Sequence, residues 1–117
     1  MDKDLIMKIL VTTEPDILNT VPSDFLEIIC SRAASGKEQL IETHDSGGME
    51  FDFGPVLQYA ANLATIIVAV WKVCDYLKGR SKNIDKESIL DDIEEQHRTH
   101  PKIQIIINNI IDEFNAR

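Results

Sequence analysis

Glu94, His97 and His100, in the stretch "EEQHRTH", are the residues whose types and spacing come closest to a reactive centre. Steps of three put them along one side of a helix, and imidazole beside carboxylate suits a divalent transition metal. A di-metal carboxylate bundle needs two Glu-x-x-His pairs plus carboxylates from other helices, and here there is one pair. His97 also follows Ile93 by four residues, so it reads more simply as a histidine edging an apolar stripe. Glu94, His97 and His100 therefore stand as weak metal candidates, and no cofactor is expected.

Cys30 and Cys74 are the two cysteines, and both fall inside apolar helical patterns. Burial raises a thiol's pKa and blunts it as a nucleophile, so a Cys–His catalytic pair is poorly supported and structural thiols are expected. Two cysteines alone make no disulfide framework. The chain carries no phosphate-binding loop, dinucleotide glycine pattern or nucleophile elbow. "SGG" at 46–48 reads as a turn, and "KGRSK" at 78–82 as a solvated linker. Nothing in the sequence identifies a reaction.

Charge is more informative. The net charge is −8, and it is unevenly spread. Residues 1–53 hold 11 acids and 4 bases, residues 54–82 hold 1 acid and 4 bases, and residues 83–117 hold 8 acids and 4 bases. An acidic surface repels phosphate backbones, which argues against direct nucleic-acid binding. It suits solubility or a basic protein partner. Asp85, Glu87, Asp91, Asp92, Glu94 and Glu95 crowd one segment, and Glu50 and Asp52 lie on the polar face of an alternating stretch. Glu50, Asp52, Asp91, Asp92, Glu94 and Glu95 are the expected binding residues.

The elements that must position these groups follow from hydropathy period. With 117 residues, a single domain spanning 1–117 is expected. "LIMKILV" at 5–11 is ambiguous; its β-branched end and the following "TTEP" tilt it towards a strand. "PSDFLEIICSRAASG" predicts a helix capped by Ser23, with Phe25, Ile28, Ile29 and Arg32–Ala33 at helical spacing and Gly36 as its stop. Met49, Phe51 and Phe53 alternate with Glu50 and Asp52, and "DSGG" precedes them. That predicts a β-hairpin of 39–44 with 49–53. A helix is expected from Pro55 to about Leu77 with Gly79 as its stop, then one over 86–99 capped by Asp85, then one opened by Pro101 with Ile103, Ile106, Ile107, Ile110, Ile111 and Phe114 on one face. The expected fold is α+β and helix-dominated: a small hairpin, or a three-stranded sheet, packed on a long central helix with further helices. An all-α bundle is the alternative.

No charged side chain occurs from Phe53 to Trp71, about the length that spans a bilayer core. Yet Gln58, Asn62, Thr65, Ala69, Lys72 and Tyr76 recur at steps of three and four, forming one narrow polar stripe. Buried amides are costly in lipid, so the pattern argues for a core helix of a soluble domain and against a membrane span. Ala60, Ala61, Ala64 and Ala69 would let other elements, or a second copy, approach closely. The opening "MDKDLIMKIL" does not resemble a signal peptide, and a cytoplasmic protein is expected.

The leading functional expectation is a small acidic, non-catalytic protein-binding module docking a basic partner: an inhibitor, an immunity- or antitoxin-type protein, or an accessory regulatory subunit. A metal-dependent enzyme or metal-binding protein built on His97, His100 and nearby carboxylates is the alternative. The third is a self-assembling or membrane-peripheral module using helix 55–77, which would make a homo-oligomer.

Overall fold

A computed structural model of the chain describes residues 1–41 and 54–116. These residues form seven helices and no strand: α1 Lys3–Thr13, α2 Ile17–Thr20, α3 Ser23–Ala34, α4 Gly54–Gly79, α5 Lys86–Asp92, α6 Glu95–Arg98 and α7 Ile103–Asn115. The architecture is all-helical, which corrects the α+β expectation in favour of its alternative. Leu40 and Ile41, in the expected first strand of the hairpin, are bends rather than extended, paired chain. The rest of the hairpin, 42–53, with Phe51, Phe53, Glu50 and Asp52, lies outside the described residues. Tertiary contacts cluster into two units, Met1–Thr65 and Ile66–Arg117, and α4 contributes to both.

In the first unit, the strand expected at 5–11 is helix α1. Asp2 accepts the amide of Leu5 at 2.8 Å, which satisfies one of the free donors of the first turn. Ile6, Ile9, Leu10 and Thr13 are buried at steps of three, one and three, a helical face that the β-branched residues of the run disguise. Thr12 returns its hydroxyl to the Lys8 carbonyl at 2.8 Å, a local bond open to a β-branched polar residue inside a helix.

Helix α1 packs on α3. The buried residues of α3 are Leu26, Ile29, Cys30 and Ala33: Ile29 and Ala33 belong to the expected face, whereas Phe25 and Arg32 are half-buried, Ile28 is 36% exposed, and Leu26 and Cys30 take their place. Ser23 is the first helical residue rather than the cap; Pro22 occupies the cap position with no side-chain bond. Gly36 closes the helix as expected. Its φ of 75° lets the Lys37 amide reach the Arg32 carbonyl at 3.0 Å and the Gly36 amide reach Ala33 at 3.1 Å. The Arg32 guanidinium donates to the Leu40 carbonyl at 3.1 Å, which fixes the chain beyond the helix.

Helix α4 supplies Leu57, Ala60, Ala61, Leu63 and Ala64 to the first unit's buried residues, and Ile66, Ile67, Val70, Trp71, Cys74 and Leu77 to the second's. Each large side chain among them is worth about 1.5–3 kcal/mol on burial. The polar stripe stands where its spacing put it: Gln58, Asn62, Thr65, Lys72 and Tyr76 are exposed and Ala69 half-buried. Gln58 donates to Asn62 at 3.1 Å along this stripe, and Thr65 bonds back to the Ala61 carbonyl at 2.9 Å. By length and composition α4 could cross a membrane, and half of its most apolar window is buried within the protein.

The end of α4 departs from expectation. Gly79 is still helical, and Ser81 takes the left-handed conformation at φ 55°. Lys82 then donates to the Leu77 carbonyl at 2.9 Å and Ser81 to Lys78 at 3.1 Å, the same closure that Gly36 gives α3.

The second unit also holds α5, α6 and α7. Asp85 caps α5 as expected, accepting the Ser88 amide at 2.8 Å, and this bond lowers its carboxyl pKa. The single helix expected over 86–99 is broken: Ile93 is extended, at φ −86° and ψ 158°, between α5 and α6. Arg98 holds the break, donating from Nε and a terminal nitrogen to the Ile93 carbonyl at 3.3 and 3.2 Å. Ile89 and Ile93 are buried, and α5 packs on α7. Pro101 sits in the turn before α7 rather than in its first turn. Ile103, Ile106, Ile107, Ile110 and Phe114 form the buried face of α7, with Ile111 half-buried beside it. Trp71 and Phe114 meet with ring centroids 4.2 Å apart at 47°, an inclined contact favoured by the ring quadrupoles.

Candidate functional site

The expected metal ligands are only partly brought together. The break at Ile93 makes Glu94 the cap of α6, and His97 Nε2 lies 3.9 Å from Glu94 Oε2. His100 does not complete a set: its Nδ1 accepts the Lys102 amide at 3.0 Å. That bond needs an unprotonated nitrogen, and burial, followed by the charges of His97 and Lys102, lowers the His100 pKa. Among the described residues no three His, Cys, Asp or Glu side chains gather at metal-holding spacing.

Both cysteines are free and buried. Burial, then the charge of Glu27, pushes the Cys30 thiol up to about 12 against a smaller opposing pull from Lys3. Burial, then Asp75, pushes Cys74 up to about 11. Neither forms thiolate readily near neutral pH.

The carboxylates of α5 and α6 are arranged differently. Asp85, Glu87, Asp91, Asp92, Glu94 and Glu95 are all exposed. The four from Asp91 to Glu95 flank the extended residue Ile93, so they leave two short helices rather than one long face. Arg98, the nearest guanidinium in sequence, is directed to the Ile93 carbonyl. Glu94 accepts from Gln96 at 2.6 Å. Glu50 and Asp52, expected to extend this surface, lie outside the described residues.

Two surface depressions had no signal in hydropathy. In the first unit a cleft of about 330 Å³ is lined by Ile17, Pro55, Val56 and Tyr59, with the carboxylates of Glu14 and Asp16. The Tyr59 hydroxyl donates to Glu14 Oε2 at 2.9 Å. Burial first, then that bond and the Glu14 charge, push the phenol up to about 12. In the second unit a groove of about 350 Å³ is lined by Lys72, Val73 and Tyr76 of α4 and by Asp92 of α5. Arg80 lies over the Tyr76 ring, 4.9 Å from its centroid. The nearest sequence signal was Lys72 and Tyr76 on the polar stripe; that Asp92 would face them depends on how α5 packs.

Comparison with protein-family models, with curated proteins and with solved structures finds no match.

Proposed function

We propose that the chain is a small acidic, non-catalytic protein-binding module whose α5–α6 carboxylates dock a basic partner. The observation that carries this reading is the exposure of Asp91, Asp92, Glu94 and Glu95 within five residues, next to an arginine committed to a backbone carbonyl. Crowded like charges at a surface raise each other's energy, and a cationic surface relieves that repulsion on contact. Such charges act mainly on encounter rate and partner choice, and salt screens them over about 10 Å at 0.1 M. The raised thiol pKa values and the incomplete histidine–carboxylate set give no comparable support to the enzyme or metal reading.

The test compares wild type with a variant carrying Asp91→Asn, Asp92→Asn, Glu94→Gln and Glu95→Gln. Both are immobilised, checked for equal helicity by circular dichroism, and used to capture proteins at low and high salt. Wild type should retain basic proteins at low salt and release them at high salt, while the neutralised variant retains none. Equal capture by the two proteins overturns the reading.

A further inference from the structure

We infer that a second copy of this chain docks across the groove between α4 and α5, with Lys72 of each copy facing Asp92 of the other about a twofold axis. This rests on the reading of α5 as a docking element and gives Asp92 a defined partner. Lys72 of α4 and Asp92 of α5 line one groove, and neither forms an ion pair among the described residues. Both are exposed. The same groove is lined by Val73, half-buried, and Tyr76, which is 48% exposed and has the Arg80 guanidinium over its ring.

A groove lined by one positive and one negative group, with apolar side chains beside them, can match its own image turned by 180°. In a twofold interface residue i meets j and j meets i, so the Lys72–Asp92 pair forms twice, once at each end, and every one of the four charges gains one partner. A foreign partner would need a carboxylate for Lys72 and a cation for Asp92 on one surface; a second copy carries both by construction. The charge of the two segments that form the groove agrees, against a net charge of −8 on each copy. Residues 54–82 hold 4 bases against 1 acid and residues 83–117 hold 8 acids against 4 bases, so the two sides of the groove come from segments of opposite sign. Tyr76 in the groove and Arg80 over its ring are also the residue types that anchor interfaces.

Sedimentation equilibrium of the whole chain at low salt tests this, on wild type, Lys72→Glu, Asp92→Lys, and an equimolar mixture of the two variants. Wild type should dimerise. Each variant alone places like charges at both contacts and should dimerise more than about tenfold more weakly. The mixture should recover a heterodimer, because both of its contacts then pair opposite charges. At one contact the introduced carboxylate meets the introduced ammonium; at the other the native Asp92 meets the native Lys72. A charge pair within one chain cannot produce that recovery. A monomeric wild type, a dimer insensitive to either substitution, or a mixture that stays monomeric overturns the inference. Where wild type is monomeric but still captures basic proteins through Asp91–Glu95, only the inference falls. Where capture is lost as well, the docking reading falls with it. Uptake of a free amino acid by the groove of a monomeric wild type, read by calorimetry, likewise overturns the second copy as occupant.

Discussion

The Tyr59 hydroxyl is held by the Glu14 carboxylate at 2.9 Å, joining the second turn of α4 to the end of α1 across 45 residues of sequence. The bond requires a protonated phenol. The phenol's pKa rises from 10.0 to about 12 in the folded protein, so its contribution to stability is complete below pH 10 and is lost as pH rises through 12. Stability measured by denaturant between pH 9 and 12 should fall more steeply for wild type than for Tyr59→Phe. Cys30 and Cys74 titrate in the same window but are common to both proteins, so the difference isolates the phenol. Parallel curves would contradict the bond's role.

Ile67 is fully buried on α4, and Asn62 is exposed on the same helix. Ile67→Ala should lose about 2–5 kcal/mol in a denaturant titration, and Ile67→Asp should abolish folding because it buries an unpaired charge. Asn62→Asp should stay within about 0.5 kcal/mol of wild type. Equal melting of Ile67→Asp and wild type would exclude the core assignment of this helix.

Thr13 is 2% exposed, and its Oγ1 has no hydrogen-bond partner among the described residues. An unmet buried hydroxyl costs free energy that an isosteric methyl does not. Thr13→Val should therefore stabilise the protein by about 1 kcal/mol. Thermal unfolding reads this as a higher Tm, and a lower one would mean the hydroxyl is bonded.

Gly36 and Ser81 close α3 and α4 with the same backbone geometry, one with glycine and one without. A side chain in the left-handed region costs about 1 kcal/mol. Ser81→Gly should gain about that amount and Gly36→Ala should lose it, since a methyl at Gly36 would meet nothing within 4 Å and the cost is conformational alone. The opposite signs of the two shifts in denaturant midpoint are the measurement.

The helical period was legible wherever a polar stripe ran unbroken. Gln58 to Tyr76 could be placed on the outer face of α4, and Ile103 to Phe114 on the inner face of α7, from spacing alone. It failed where apolar residues came in adjacent pairs. Phe25–Leu26 and Ile28–Ile29 allow two registers one residue apart, and packing against α1 selects the second. In 5–11 nearly every position is apolar, so no alternation separates helix from strand; the cap at Asp2 decides, and it stands outside the run. The break at Ile93 has no glycine or proline to mark it, because what holds it is the Arg98 guanidinium on a backbone carbonyl. The carboxylates from Asp91 to Glu95 were visible as composition. The groove was not, since it exists only where the end of α5 comes beside Lys72 and Tyr76.

Cys30 belongs to Met1–Thr65 and Cys74 to Ile66–Arg117, and both thiols are sealed from water. Each is thus a chemical clock for its own half of the chain: an alkylating reagent marks it only in the moments when its surroundings loosen. Mass spectrometry of the two labelled peptides would read whether the halves breathe in concert, with matched labelling rates, or whether one yields while the other stays shut.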